Sequence, residues 1–266
     1  MISVISSLFI SFLYPEKGQA QARKENTGTN VAHHVGILFT GSILSNREDL
    51  LVPLGFSGPE ISLGGHYTGQ TSTDNIDVRF KVGVGYLKNR YSHETFTFTL
   101  ELRPRWIREI AEYYRFGIIR GGLCFPMKNF HHIDHSWDDA HLYWLSSYSV
   151  GIAGEMEKKI GKANIGLLRL EVPLMSLISR PPKYRYNKQD ATSSIRFHFT
   201  EPNRSFHLEM LDDYRALFFQ ALIRHNIDRS RLNAGFEFSY DFCRIPEKVW
   251  ILNTSIFLSY QWGIGQ

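Results

Sequence analysis

Residues Val249 to Gly263, with the sequence VWILNTSIFLSYQWG, alternate between apolar and polar side chains almost without interruption. One side of this stretch consists of Trp250, Leu252, Ile256, Leu258, Tyr260 and Trp262, and the other of Asn253, Ser255, Ser259 and Gln261. A period of two is that of a β-strand. Aromatic residues at both ends of the apolar side are typical of a strand with one face in lipid and the other toward a polar lumen. The stretch therefore predicts a wall strand of a transmembrane β-barrel.

The same alternation recurs along the chain. The other predicted strands are His34–Leu44, Ile61–Thr68, Asp77–Tyr86, Thr95–Arg103, Arg115–Leu123, His141–Glu155, Asn164–Leu174, Tyr214–Ile223 and Leu232–Phe242. With the last strand they predict an all-β fold, a transmembrane antiparallel up-and-down barrel of about ten strands. A hairpin over Ile195–Thr200 and Ser205–Leu208 would raise the number to about twelve. An even number suits a single-chain bacterial barrel with both termini in the periplasm.

The connections between the strands differ in length. With a periplasmic N-terminus, the longer ones fall on the outer side, near 45–56, 88–94, 124–140, 175–213 and 243–248. Those near 69–75, 156–162 and 224–229 fall on the inner side and are short, as expected of an outer-membrane barrel. One inner segment, Pro104–Tyr114, departs from the two-residue period. Its residues Trp106, Ile107 and Ile110 recur at helical spacing, which predicts a short interfacial helix.

Length and composition agree with a single barrel. The chain has 266 residues, and its 43% of hydrophobic residues include no run long enough for a membrane-spanning helix. An apolar core at Ile2–Leu13 followed by Ala20-Gln21-Ala22 predicts a secretory signal peptide over residues 1–22, with the barrel over 23–266. The alternative is an apolar first strand. The formal net charge of +4 is spread over the chain without a compact Lys/Arg block, so nucleic acid is not an expected partner.

Export to the cell envelope makes a disulfide between Cys124 and Cys243 possible, because disulfides form in that compartment. Both cysteines follow predicted strands on the same side of the membrane. Two buried thiols fit the spacing equally well.

Charged residues of both signs lie on the side of the strands opposite the apolar one. The predicted lumen-lining residues are Arg79, Lys81, Glu101, Arg103, Arg169, Glu171, Glu237 and Asp241. Such charges either line a narrow aqueous path or pair with one another and fill the interior of a small barrel. The mixture of signs favours filling. In a soluble β-sandwich or lipocalin-like barrel, by contrast, the apolar side would point inward and the charges would face solvent.

The densest polar cluster is the segment 131–141, HHIDHSWDDAH, in a predicted outer loop. Imidazoles and carboxylates at this density are potential metal ligands, with His131, His132 and His135 as the candidates. A Ser–His–Asp acyl-hydrolase set is the other hypothesis, with candidates His135, Ser136 and Asp138. Neither spacing matches a recognised motif. No catalytic residue, metal or cofactor is therefore predicted, and a hydrated loop is the preferred interpretation.

A second polar segment, 180–188 with the sequence RPPKYRYNK, mixes cations with aromatic residues. On the outer face, Arg180, Lys183, Tyr184 and Arg185 would be suited to bind lipopolysaccharide phosphates or an envelope protein partner. A solvated loop stiffened by two prolines is the alternative.

The strands at 77–86, 95–103, 232–242 and 249–263 give the mature chain a general resemblance to small outer-membrane β-barrel proteins of Gram-negative bacteria, of the kind common in Bacteroidota. The resemblance implies a location in the bacterial outer membrane, in contact with its lipid and lipopolysaccharide. Members of this class serve as porins, transport accessories, adhesins, anchors or lipid-modifying enzymes. The expected function is a non-enzymatic structural or binding role at the cell surface, with a closed or narrow lumen. The alternatives are a porin-like narrow solute channel and a hydrolase of lipid or lipopolysaccharide.

Overall fold

The computed structural model describes residues 31–49, 52–71, 73–113, 117–134, 141–180, 206–245 and 247–264. Twelve β-strands lie within these residues. They are β1 (Ala32–Glu48), β2 (Val52–Gln70), β3 (Asp74–Asn89), β4 (Glu94–Tyr113), β5 (Gly117–Cys124), β6 (Met127–Asp134), β7 (His141–Ile160), β8 (Asn164–Ser179), β9 (Phe206–Met210), β10 (Tyr214–Ile227), β11 (Ser230–Cys243) and β12 (Val249–Ile264). The same part of the chain holds no helix with the length and apolar character needed to cross a membrane.

The strands pair antiparallel and form a sheet that closes on itself. β1 pairs with β2 along one edge and with β12 along the other, from His33 opposite Ile264 to Glu48 opposite Val249. At two positions around the wall, two strands that are consecutive in the chain lie one after the other along the same neighbouring strand. β5 and β6 both lie between β4 and β7, separated by Phe125 and Pro126. β9 and β10 both pair with β8. The twelve strands thus occupy ten positions around the wall, and the predicted all-β antiparallel barrel is confirmed.

The strands are staggered around the barrel. A path through paired residues, starting at Ala32 and crossing the sheet once by way of Gln70, Asn75, Ile107, Gly122, Ala153, Glu171, Phe218, Ser239 and Asn253, returns to β1 at Leu44. The return point lies twelve residues beyond Ala32 on the same strand. A stagger of this kind requires the strands to tilt by about 35–45° from the barrel axis.

Apolar side chains cover the outside of the wall and polar ones face the inside. On β12, Ile256 is 71% exposed whereas Ser259 on the opposite face is 1% exposed. The outer face also carries aromatic residues near both ends, with Tyr86 and Phe96 at one end and Trp262 at the other. This arrangement is inverted relative to a soluble barrel, so the lipocalin-like alternative is excluded.

The two ends of the barrel differ, and two names are used for them below. The turn end carries the tight connections at 71–73, 161–163 and 228–229. The loop end carries, among others, the connections at 90–93 and 244–248. The predicted signal peptide and the predicted strand Ile195–Thr200 lie outside the described residues. The second half of that predicted hairpin falls on β9, which is part of the wall.

The predicted interfacial helix at Pro104–Tyr114 is wrong, because β4 continues as a strand as far as Tyr113. Arg105 and Ile107 point inward, and Trp106 points outward, so the period of two is in fact kept. Ile107 is fully buried against Cys124 and Ala153. The apparent helical spacing arose because an apolar side chain faces the lumen here, directly after an apolar side chain that faces lipid.

The predicted outer loop at 124–140 is also wrong over part of its length. β6 extends from Met127 to Asp134 and is paired on both edges, with β4 and with β7. Pro126 lacks the N–H group that a continuous strand needs, which explains why the wall strand is interrupted between β5 and β6.

Closure of the wall by β1 and β12 predicts a specific cross-link. In a chain with Cys124 and Cys243 replaced by Ala, cysteines at Gly41 and Ile256, which are opposite each other, should be joined within one molecule by a short bismaleimide. An added side chain at Gly41 meets no atom within 4 Å, so it should be tolerated. Mass spectrometry of the digested protein identifies the linked peptides.

The matched control combines Gly41→Cys with Trp262→Cys, six positions further along β12 and about 20 Å away. It should give little intramolecular product. Equal yields from both pairs, or products that only join two molecules, would show that the sheet is not closed in this register.

Candidate functional site

A network of ion pairs crosses the interior of the barrel. It contains six cations and six carboxylates among the described residues. The cations are Arg79, Lys81, Arg103, Arg105, Arg120 and Arg169, and the carboxylates are Asp77, Glu101, Glu155, Glu157, Glu171 and Glu237. All twelve belong to one connected set of contacts, which is called the lumen network below. Its formal charges balance, which is what a poorly hydrated interior requires of its ionised groups.

The lumen network joins opposite parts of the wall. Arg169 on β8 lies 2.8 Å from Glu155 on β7 and 3.4 Å from Asp77 on β3. Arg79 on β3 lies 3.0 Å from Glu237 on β11. Because β3 lies four wall positions from both β8 and β11, these side chains span the lumen rather than pairing along one strand.

Neutral hydrogen-bonding groups complete the lumen network. The Gln220 side-chain oxygen accepts hydrogen bonds from Arg79 at 2.7 Å and from Arg169 at 3.0 Å, and its amide donates to Glu237 at 2.6 Å. His66 and Asp77 are in contact through Nε2 and Oδ2 at 2.9 Å. A separate pair near the loop end joins Lys128 to Asp241, which also accepts a hydrogen bond from Tyr214. The interior polar groups are therefore used chiefly by one another.

The period of two explains how the sequence builds this site. Asp77, Arg79 and Lys81 are alternate residues of β3, and Glu101, Arg103 and Arg105 are alternate residues of the neighbouring β4. Alternate residues of a strand face the same side, so both triplets point into the lumen. The register places Arg79 opposite Arg103 and Lys81 opposite Glu101.

All eight predicted lumen residues face the interior, and the structure brings them together. Seven of them belong to the lumen network, and Asp241 forms the separate pair with Lys128. Several partners of equal importance were not predicted from the sequence, namely Asp77, Arg105, Arg120, Lys128, Glu155 and Glu157. Strand parity alone would have placed Asp77 and Glu155 on the inner face. Arg105 was missed because the helix predicted at 104–114 interrupted the pattern.

An apolar cluster fills the lumen at the loop end, and the sequence analysis did not predict it. Its members are Leu44, Phe56, Leu87, Phe130, Tyr143, Leu145, Ile178, Tyr214, Cys243, Val249 and Ile251. They come from nine different strands and are each at most 5% exposed. The cluster is called the loop-end plug below. It places a water-excluding layer above the lumen network.

The histidine-rich segment is not the uniform surface loop that was predicted. His131 and His132 lie on β6 and are buried, and His132 contacts Phe56 edge to face with ring centroids 4.9 Å apart. The catalytic candidates His135, Ser136 and Asp138 lie outside the described residues. Within the described part of the chain, no three His, Cys, Asp or Glu side chains are grouped to hold a metal ion.

The predicted surface role of Arg180 is wrong, because this side chain is buried. Its Nη1 donates hydrogen bonds of 2.6 Å to the carbonyl oxygens of Ile245 and Glu247, and its guanidinium lies over the Tyr143 ring. Arg180 thus anchors the connection between β11 and β12. Lys183, Tyr184 and Arg185 lie outside the described residues.

Cys124 and Cys243 are both free and buried, so the structure has no disulfide between them. Each thiol donates a hydrogen bond to a carbonyl oxygen, Cys124 to Ile152 and Cys243 to Ile245. Of the two interpretations left open by the sequence, buried thiols are the one observed.

Comparison with known proteins gives distant structural neighbours. No protein-family model matches the chain, and no curated protein sequence matches it. The chain resembles the translocator domain of the autotransporter NalP from Neisseria meningitidis, with 7% identity, coverage of 98% of this chain and 94% of that one, and a TM-score of 0.44. It resembles the outer membrane protease OmpT from Escherichia coli with 6% identity, coverage of 88% and 96%, and a TM-score of 0.49. It resembles the β domain of the Bordetella autotransporter BrkA with 10% identity, coverage of 86% of this chain and 98% of that one, and a TM-score of 0.36.

These likenesses are too distant to transfer an activity to this chain. The closed wall, the apolar exterior and the charged interior carry the structural conclusion by themselves. The protein is built as a transmembrane β-barrel of the bacterial outer-membrane type.

The lumen network predicts a large loss of stability when a single buried carboxylate is neutralised. Glu155 has no exposed side-chain surface and contacts Arg105, Arg120 and Arg169. Glu155→Gln keeps the side-chain shape but leaves buried guanidinium charge uncompensated. We expect the free energy of unfolding to fall by about 3–5 kcal/mol, the usual cost of breaking a buried ion pair. Urea titration of the folded barrel in lipid vesicles measures it.

Glu94→Gln is the matched control, because Glu94 pairs with Lys88 in an ion pair whose side chains are about half exposed. Exposed pairs contribute little to stability, so this variant should unfold close to the wild type. Similar unfolding curves for both variants would contradict a structural role for the lumen network.

Proposed function

We propose that the protein is a non-enzymatic barrel of the bacterial outer membrane whose lumen is closed and whose role is structural or binding at the cell surface. In this proposal, residues 1–22 are a signal peptide that directs export, and the protein is one of the small barrels of the Bacteroidota type. Both termini and the turn end face the periplasm, and the loop end faces the cell surface. The outer-membrane lipids surround the apolar belt.

The loop-end plug is the observation that carries the proposal. A conducting pore needs a continuous polar path, and eleven buried, largely apolar side chains interrupt it at one end. Below the plug, the charges of the lumen network are neutralised by one another and cross the lumen from wall to wall. Arg103 also lies over the Phe218 ring, 4.0 Å from its centre, which fills space beside the network. Both layers support a closed interior.

The surface partner is proposed from sequence and not from contacts. Lipopolysaccharide is the favoured partner of the loop end, because Lys183, Tyr184 and Arg185 combine cations and aromatic rings that suit phosphate groups. An envelope protein is the other candidate. Arg180 is excluded from this surface, since its guanidinium is committed to internal contacts.

Electrical recording tests the closed lumen directly. The wild-type protein, reconstituted into a planar lipid bilayer, should give no stepwise current, because the loop-end plug and the lumen network leave no water-filled path. Insertion is verified separately in vesicles made by the same procedure. On SDS gel electrophoresis, the folded protein from these vesicles should migrate faster before boiling than after it.

The narrow-channel alternative makes the opposite prediction. It requires stepwise currents in the wild type, with a conductance or ion selectivity that changes in Arg79→Glu but not in Arg47→Glu. Arg79 is buried in the lumen, whereas Arg47 lies outside it in an exposed pair with Asp49. Wild-type currents that respond in this way would overturn the closed-barrel proposal.

A further inference from the structure

Three basic side chains meet inside the lumen at the turn end. Arg224 faces inward from β10, Arg231 from β11 and His34 from β1. The register brings them together, since Arg224 is opposite Asn233, two residues from Arg231, and His34 is opposite Gly263 on the intervening β12. Arg224 and Arg231 are also the main charged neighbours of His34. Arg224 is 3% exposed and His34 is 9% exposed.

These two arginines differ from the other lumen-facing arginines of the strands. Arg79, Arg103, Arg105, Arg120 and Arg169 each contact at least one carboxylate within ion-pair distance. Within the described part of the chain, Arg224 instead donates only to the neutral side-chain oxygen of Asn233 at 3.1 Å, and Arg231 donates to that of Gln70 at 3.2 Å. Three buried polar atoms of this group, Arg224 Nη2, Arg231 Nη1 and His34 Nδ1, have no hydrogen-bond partner among the described residues.

The carboxylates that attract Arg224 and Arg231 already form ion pairs within the lumen network. Glu155, Glu157 and Asp77 attract Arg224 from a distance, and Glu157 attracts Arg231. Glu157 is bound by Arg120 at 2.6 Å, and Glu155 is shared by three arginines of the lumen network. Because the lumen network is balanced, it has no negative charge to spare for Arg224 and Arg231.

A cavity of about 350 Å³ lies at the turn end, lined by His34 and Arg231 but not by Arg224. His33, His34, Arg229 and Arg231 contribute to its lining, and Asp228 is its one carboxylate among the described lining residues. Asp228 lies on the exposed turn between β10 and β11 and contacts neither Arg224 nor Arg231 within ion-pair distance. Basic side chains therefore outnumber carboxylates in the described wall of the cavity.

We propose that this basic cavity binds a phosphate-type oxyanion. Buried guanidinium groups without a counter-charge are strongly unfavourable, and a phosphate supplies both the charge and several acceptor oxygens. Basic side chains reach the cavity from β1, from β11 and from the turn between β10 and β11. This geometry suits a tetrahedral oxyanion better than a planar carboxylate, which accepts along one edge. The source of the phosphate is either a free phosphate compound or a phospholipid headgroup.

The first experiment uses inorganic phosphate and the full-length barrel, folded in a detergent that contains no phospholipid. Phosphate should raise the unfolding temperature in a saturable manner, beyond sodium chloride of equal ionic strength, because it binds the folded state. Isothermal titration then gives its Kd. Arg231→Met and Arg224→Met, which keep an unbranched side chain but remove the charge, should each weaken binding, and Arg231→Met should do so at least tenfold because Arg231 lines the cavity.

Arg215→Met is the matched control, because Arg215 lies on the same strand as Arg224 but is exposed at the loop end. It should bind phosphate as the wild type does. A change in gel mobility on boiling confirms that each variant is folded. If Arg224→Met does not fold, Arg231→Met alone tests the site. Absence of phosphate-specific stabilisation in the wild type, or unchanged affinity in both arginine variants, would overturn the site, provided that the lipid experiment below is also negative.

A second experiment distinguishes the two sources. The barrel is placed in nanodiscs of phosphatidylcholine, with or without phosphatidylglycerol, and titrated with phosphate. Competition by phosphatidylglycerol that is lost in Arg231→Met would identify a lipid headgroup as the ligand. Phosphate binding that is unaffected by the lipid would identify a free phosphate compound. If neither phosphate nor lipid responds to the arginine substitutions, the basic cavity is not an anion site.

Discussion

Every backbone N–H and C=O group of the wall must find a partner inside the protein, because lipid offers none. The pairing of β1 with β12 meets this requirement at the one place where the sheet would otherwise have two free edges. It comprises sixteen consecutive residue pairs. At about 3.3 Å per residue and a tilt of about 40°, these pairs extend about 40 Å along the barrel axis, which exceeds a hydrocarbon thickness of about 30 Å. The closing pair therefore protects the backbone across the whole membrane.

Closure fixes the size of the interior, and the interior then has to be filled. Ten wall positions leave a space that side chains can occupy. The chain uses two kinds of filling. The lumen network supplies charge neutrality and contacts across the barrel, whereas the loop-end plug supplies close apolar packing. Exchanging a member of one layer for a member of the other would bury either an unpaired charge or an unfilled volume.

The sequence predicts the wall well because lipid and lumen impose opposite demands on alternate residues. Stretches such as Asp77–Tyr86 and Val249–Gly263 show this contrast clearly, and their strands are found as predicted. The prediction failed where an inward residue is apolar, as at Ile107, or where an outward-facing position is polar and buried, as at His131. In both cases the local pattern resembles another structure, and only the pairing with neighbouring strands resolves it.

The sequence predicted which charged residues face the interior, but not which of them pair with one another. The alternation along each strand identifies Arg79, Arg169 and Glu237 as inward-facing. The partner of each is set by the stagger of the strands around the barrel, which cannot be inferred from the sequence of one strand. The loop-end plug was missed for a related reason. Its members are distributed over nine strands, one or two on each, so no local stretch reveals them.

The loop-end plug also makes the two ends of the barrel different from each other. In the closed barrel that we propose, the interior opens only at the turn end. Anything that enters from the turn end must leave by the same way, and the interior can equilibrate with only one of the two compartments that the membrane separates. The occupancy of the basic cavity would therefore follow the composition of that compartment alone, however the medium on the other side changes.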